Sequence, residues 1–263
     1  MTNHAEERRI SYSEFKIWNE CPHKHKLIYI DKVSYYSSNE YTAFGTSIHE
    51  SCEKLLPDNT VDAYQVFEEA FLRELKDLKD QGLELNSRLI QDMRQQAKPI
   101  CEQVLPAVKN CFGDFEIFSV EEALMEEMKS IKSFGKKFKG FIDLVIKTPD
   151  EKYHIIDWKT CSWGWNNKKK SDKIVNYQLT MYKHFFSEKH NIDPENVETY
   201  FALLKRTAKK DNVEFVKVSS GEKKTNNCLS LLEKSVINIE KGISIKNRLS
   251  CKYCKFYKTE NCK

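Results

Sequence analysis

The chain has 263 residues, 40% hydrophobic and 12% aromatic, with only 8 Gly and 6 Pro, which excludes a disordered or linker-dominated protein and allows one sizeable core. Its 43 basic and 39 acidic residues leave a net charge of +4, too little to argue by itself for a polyanionic partner, so that case must rest on local clusters. No charged leader with an apolar stretch opens the chain and no apolar run nears the ~20 residues of a membrane helix, so a soluble, cytoplasmic protein with no membrane partner is expected.

In chain order, Ser11 followed by Glu14 fits a helix start, and Phe15 and Trp18 carry helical spacing toward Cys21. A second helix is predicted from Ala43 to Leu56. A third runs from Val61 to Leu78, where Tyr64, Phe67, Phe71, Leu75 and Leu78 form an apolar stripe that Gly82 stops. The stretch from Arg88 to Cys111 reads as helix that Pro99 and Pro106 kink or break. Beyond Gly113 the texture changes. Ile117 to Met128, Lys136 to Lys147 and Tyr153 to Thr160 are rich in β-branched and aromatic residues and are separated by Gly135 and Pro149-Asp150, so they read as strands. Helix returns from Asp172 to His190. Val197 to Lys205 and Val213 to Val218 are strands around the turn at 209–212, and Glu222 to Lys241 is a last helix.

The chemistry concentrates on the strand carrying Asp157-Trp158-Lys159. Alternate side chains of a strand share a face, so Asp157 and Lys159 point the same way. The acid suits a divalent cation, and the lysine suits an attacking water or the charge of a phosphorane. Asp143 lies on the preceding strand, where hairpin pairing brings it beside Asp157. Two carboxylates then share one ion, and hard oxygen ligands of this kind favour Mg2+ or Mn2+. His49, after Gly45 and one turn into a helix, adds an imidazole that tilts preference toward manganese. Gln178 and Tyr182 are four apart, hence on one helical face, able to contact a nucleic-acid backbone or to brace the lysine. A further acid, Glu121 or Glu122, lies on the strand before Asp143, and alternation does not tell which of the two points inward.

In order, Gly45-x-x-x-His49, Gly140-x-x-Asp143, Asp157-x-Lys159 and Gln178-x-x-x-Tyr182 resemble the RecB-like branch of the PD-(D/E)xK nucleases. The resemblance implies an α/β, restriction-endonuclease-like mixed central sheet flanked by helices. It also implies a single nuclease domain over 1–263 with a helical insertion at 57–113. Asp143, Asp157 and Lys159 would be catalytic; His49, Asp143 and Asp157 would bind the metal; Gln178 and Tyr182 would engage substrate.

Of nine cysteines, Cys251, Cys254 and Cys262 cluster at one end and Cys21 lies near the other. Four thiolates suit an iron–sulfur cluster or tetrahedral zinc, and spacing alone does not separate the two. One cysteine before the nuclease core and three after it is similar to the iron–sulfur nucleases of the AddB-like and CRISPR-adaptation groups, which implies a 4Fe-4S cluster stapling the chain ends. The seven residues between Cys254 and Cys262 exceed the gap usual in those groups and keep zinc open. Cys52, Cys101, Cys111, Cys161 and Cys228 are expected to be core thiols.

Past Lys159, Trp163 and Trp165 precede Lys168, Lys169 and Lys170. Indoles stack bases and lysines track phosphates, so single strands are a candidate substrate, against the bland reading of a basic loop with one packed tryptophan. Lys136, Lys137, Lys139, Lys205, Arg206, Lys209 and Lys210 add charge that carries no sequence information. The resulting expectation is an exonuclease acting on single-stranded or end-resected DNA in recombination, repair or processing. With no phosphate-binding Gly-x-x-x-x-Gly-Lys loop in the chain, unwinding would fall to a helicase or recombination partner. The alternative is a catalytically minor module that binds DNA ends within a larger assembly.

Overall fold

The computed structural model describes residues 9–33, 38–128 and 136–263, so Gly135, read above as a strand break, lies outside the described residues. Short polar side chains start most of the helices, because each supplies an acceptor for an amide the first turn leaves unpaired. Ser11 caps α1 (Tyr12–Glu20), which α2 (Pro22–His25) and a π-helical turn (Lys26–Ile30) follow. Asn39 caps α3 (Glu40–Leu55), Asp62 caps α4 (Ala63–Asp80) and Asn86 caps α5 (Ser87–Phe112). Asn166 caps the short α6 (Asn167–Lys170) and Asp172 caps α7 (Lys173–His190), while α8 (Glu222–Glu240) starts without a side-chain cap. A 3-10 turn spans Arg248–Tyr253.

Helix α5 corrects the expectation of a break. Pro99 and Pro106 both lie inside one continuous helix. Met93, Ala97, Ile100, Cys101, Val104 and Val108 form its buried stripe, and both prolines fall outside that stripe, where water can take the freed carbonyls. Gly113 ends the helix with φ +72°, a conformation open to glycine at little cost.

The strands are β1 (Arg9–Ser11), β2 (Glu116–Glu127), β3 (Lys137–Lys147), β4 (Tyr153–Cys161), β5 (Val197–Lys205) and β6 (Val213–Lys217). They form a mixed six-stranded sheet in the order β1-β3-β4-β5-β6, with β2 paired to β3. Of these, only β1 was not anticipated. β3 and β4 pair antiparallel through Leu144 with Ile156 and Val145 with Ile155. β4 and β5 run parallel from Tyr153 with Val197 to Cys161 with Lys205, a pairing that needs a crossover, supplied by α7.

By contacts the chain divides into two compact units, one of Met1–Tyr36, Ala123–Gly140 and Ser220–Lys263, the other of Ser37–Glu122 and Phe141–Ser219. The second holds the main core, in which the rings of Phe44, Phe67 and Phe71 pack at 5.2 to 6.2 Å, Phe44 edge-on to the other two, among apolar residues of α3, α4, α5 and the strands β3, β4 and β5. Each such ring contributes about 1.5–3 kcal/mol by leaving water. The first unit has a smaller cluster of Leu27, Phe256 and Cys262.

The cap of α7 matters for the site because that helix carries Gln178 and Tyr182. Asp172 accepts the amides of Ile174 at 2.8 Å and Val175 at 3.0 Å. Asp172→Ala is expected to cost about 1 kcal/mol, read as a fall of roughly 2–4 °C in the thermal midpoint.

Candidate active site

Every sequence-predicted active-site residue belongs to the second unit, and the structure brings all six into one connected group. β4 is covered on both faces, so Asp157 is only 2% exposed, and it sits two residues before Lys159 on the same strand face. The Lys159 ammonium meets Asp157 Oδ2 at 2.5 Å. One step beyond the last β3–β4 pair, the register sets Asp143 opposite Asp157, and Asp143 Oδ2 accepts the amide of Trp158 at 2.7 Å. From α3, His49 Nδ1 lies 3.7 Å from Asp143 Oδ2.

Gln178 and Tyr182, one turn apart on α7, are both buried. Gln178 Nε2 donates to Asp157 Oδ1 at 2.7 Å and to the Tyr182 hydroxyl at 3.2 Å. The pair therefore holds Asp157, the carboxylate that Lys159 meets, and its brace on the lysine acts through that acid.

The electrostatics follow from placing like charges in a dry setting. Burial, and next the Asp157 carboxylate, push Asp143 well above the ordinary carboxylate range. Burial also raises Asp157, against the pull of Lys159. Burial and then the Lys159 ammonium lower His49 to about 4, so near neutral pH the ring is uncharged and keeps a lone pair for a metal. Burial, followed by the charge of Asp157, raises the Tyr182 phenol.

Two acids complete this region. Glu53, one turn after His49 on α3, is raised to about 7 by burial and then by Glu121, with which it shares a hydrogen bond. Glu121 has φ +49°, a local irregularity in β2 that separates its direction from that of its neighbour. Glu122 is instead buried in an ion-paired cluster with Lys189 at 2.8 Å and with His190. The open choice between the two acids thus resolves to Glu121 on the site side. Glu53 was missed, although its four-residue step from His49 was available as a signal.

The donor set fits a hard divalent cation: one buried and one mostly buried carboxylate that repel each other and a neutral imidazole beside one of them. As placed, no three His, Cys, Asp or Glu side chains among the described residues stand close enough to enclose an ion.

All nine cysteines are free thiols. Cys21, Cys251, Cys254 and Cys262 share the first unit. Cys21 Sγ accepts the Asn247 amide at 3.3 Å and Cys251 Sγ lies 3.9 Å from the Asn247 carbonyl, while Cys254 and Cys262 pack in the Leu27 cluster. Cys52, Cys101 and Cys228 are buried as expected, but Cys111 is exposed and Cys161 half-buried. The first sits in the last turn of α5, off its buried stripe, and the second ends β4.

The basic stretches are less free than the sequence implied. Lys136 pairs with Glu240 at 3.3 Å, and Lys170 and Lys205 share Glu214 at 2.6 and 3.2 Å. No helix among the described residues is long and apolar enough to cross a membrane.

A profile of the PD-(D/E)XK nuclease superfamily matches residues 9–259, and the chain belongs to that superfamily. Among solved structures, the fold is similar to that of a "putative exonuclease" from Eubacterium rectale, with a TM-score of 0.57 at 13% identity over 97% of this chain and 91% of that one. The protein SSO0001 aligns over 93% of both chains at 15% identity with a TM-score of 0.35, too low to carry an argument. No curated protein matches the chain significantly.

Proposed function

We propose that the protein is a RecB-like, Mg2+- or Mn2+-dependent DNA exonuclease that hydrolyses phosphodiester bonds of single-stranded or end-resected DNA. The observation that carries this reading is the single connected group of His49, Asp143, Asp157 and Lys159, set in a chain of the nuclease superfamily. Asp143, Asp157 and His49 would hold the ion, which when bound lowers the pKa of water and neutralises charge on the phosphate. Lys159, near a strand end and 31% exposed in its side chain, would stabilise the developing negative charge or orient the attacking water. Gln178 fixes the rotamer of Asp157, and Tyr182 fixes Gln178.

The four cysteines Cys21, Cys251, Cys254 and Cys262 are proposed to hold a 4Fe-4S cluster. All four are free thiols within one unit, and soft thiolates suit iron–sulfur ligation. Recombination, repair or DNA processing is the setting in which such an activity would operate, with a helicase partner supplying unwound strands.

Cleavage of 5′- and 3′-labelled single and double strands, with magnesium, manganese or a chelator, tests the reading and gives the polarity. Lys159→Met is expected to lower kcat about 10²–10³-fold, the scale of losing one electrostatic stabiliser, with KM little changed. Strand cleavage that survives the chelator, or a Lys159→Met variant as fast as wild type, would remove this assignment.

A further inference from the structure

Trp163 is 77% exposed, although tryptophan is on average a well-buried residue. Its exposure does not come from a loose loop. The Cys161 carbonyl accepts the Arg206 amide at 2.9 Å, and the Ser162 carbonyl accepts the Thr207 amide at 3.0 Å and the Thr207 hydroxyl at 2.8 Å. Arg206 also donates to Ser162 Oγ at 3.3 Å. The backbone leading into Trp163 is therefore clamped to the end of β5.

At Gly164 φ is +113°, and a Cβ there would meet Lys205 Cδ at 3.3 Å, so glycine lets the chain take this conformation against that side chain. It stands between two indoles of opposite exposure. Trp165 turns inward to 9% exposure, 5.0 Å from the Phe201 ring and beneath the Lys169 ammonium at 4.4 Å. The same Phe201 ring lies 5.8 Å from Lys159 Nζ. One tryptophan anchors the loop beside the catalytic lysine, and the other stands out in solvent on a fixed mount.

The surroundings are cationic and partly aromatic. Arg206 lies over the rings of Tyr41 at 5.0 Å and Phe44 at 5.5 Å, and Lys168 and Lys209 are exposed. Trp163 lies four residues past Lys159, in the bend that follows the end of β4 at Cys161.

We propose that Trp163 is a stacking platform for an unpaired base of single-stranded nucleic acid whose backbone passes Lys159, and that it gives the enzyme its preference for single strands. This rests on the nuclease reading above. A rigid indole loses little freedom on binding, and a base offers it a π-face only when unstacked from its neighbours, which duplex does not provide. The neighbouring lysines contribute affinity without reading sequence.

The test uses wild type, Trp163→Ala and Trp163→Phe in a chelator, where binding is measured apart from cleavage. Labelled oligothymidylate and a blunt duplex of equal length are titrated, and kcat and KM on the single strand are then measured with manganese. Trp163→Ala is expected to weaken oligothymidylate binding roughly 10- to 100-fold and to leave duplex binding within about twofold. KM should rise with kcat kept, Trp163→Phe should recover part of the loss, and oligothymidylate should quench tryptophan fluorescence in wild type more than in Trp163→Phe. Unchanged or equally weakened binding of both ligands by Trp163→Ala overturns the platform while the nuclease reading stands. A wild type that binds and quenches but never cleaves leaves the platform and removes the nuclease. Absence of both binding and cleavage in wild type removes both.

Discussion

Asp143→Asn is expected to reduce cleavage by at least about 10³-fold and, at the same time, to raise the thermal midpoint of the metal-free protein. The first effect follows from removing a carboxylate proposed to share the ion with Asp157, a loss of several kcal/mol of charge stabilisation. The second follows from geometry. Asp143 stands opposite Asp157 in the sheet, and burial and that neighbouring charge push its carboxyl well above the ordinary range, which the Lys159 ammonium, bonded to Asp157, offsets only in part. A neutral amide of the same shape keeps an acceptor for the Trp158 amide and removes the repulsion. A gain of about 1 kcal/mol would show as roughly 2–4 °C, the usual sign of a site that trades stability for activity. With added manganese the order should reverse, since an ion that binds only the folded wild type stabilises it by mass action. Thermal unfolding of both proteins with chelator and with manganese, beside the strand-cleavage assay, checks it. A variant that is less stable than wild type in chelator would show that Asp143 is a structural acceptor first.

How much of this was legible in the sequence depends on the type of constraint. Strand alternation placed Asp157 and Lys159 on one face, and the β3–β4 hairpin brought in Asp143, because both rest on a period of two that local sequence fixes. The four-residue step of α7 likewise put Gln178 and Tyr182 together. Their partner within the chain did not follow from spacing: Gln178 donates to Asp157 and not to Lys159, which depends on how α7 lies against β4. Glu121 and Glu122 were undecidable because the left-handed φ at Glu121 disrupts the alternation that would have ranked them. Pro99 and Pro106 argued locally for a kinked or broken helix, and of the two the break is excluded, since the stripe from Met93 to Val108 held α5 in one piece. Tertiary burial outweighed the local cost there. Gly164, with its positive φ, stands between Trp163 and Trp165, but a glycine between two tryptophans does not announce which one turns inward.

Cys251→Ser is expected to lose the visible absorbance and iron of the purified protein together and to lower the thermal midpoint by about 10 °C or more. Of residues 247–263, only Phe256 and Cys262 are buried. Leu249 is 94% exposed and Tyr253 84%, and among the described residues this segment joins a small apolar cluster of Leu27, Phe256 and Cys262 with a few half-buried neighbours. Hydrogen bonds tie it to α1 and α2, among them Asn247 Nδ2 to the Glu20 carbonyl at 2.9 Å, the Asn247 amide to Cys21 Sγ at 3.3 Å, the His23 amide to the Ile245 carbonyl at 3.2 Å, and the His23 ring with Ser244 Oγ at 3.1 Å and the Asn261 carbonyl at 3.2 Å. Each contributes about 1 kcal/mol net, too little to order a segment with so small a core of its own. Ligation by four thiolates would supply the missing several kcal/mol, because a site absent from the unfolded chain turns its binding free energy into folding free energy. If the thiols carried no cluster, a half-buried cysteine changed to serine would cost under about 1 kcal/mol and shift the midpoint by no more than about 4 °C. The size of the fall therefore separates a ligand from a bystander, and metal content separates iron from zinc. Full iron loading in Cys251→Ser would exclude this cysteine from the cluster, and a colourless wild type carrying one zinc per chain would replace the iron–sulfur assignment with a tetrahedral zinc site.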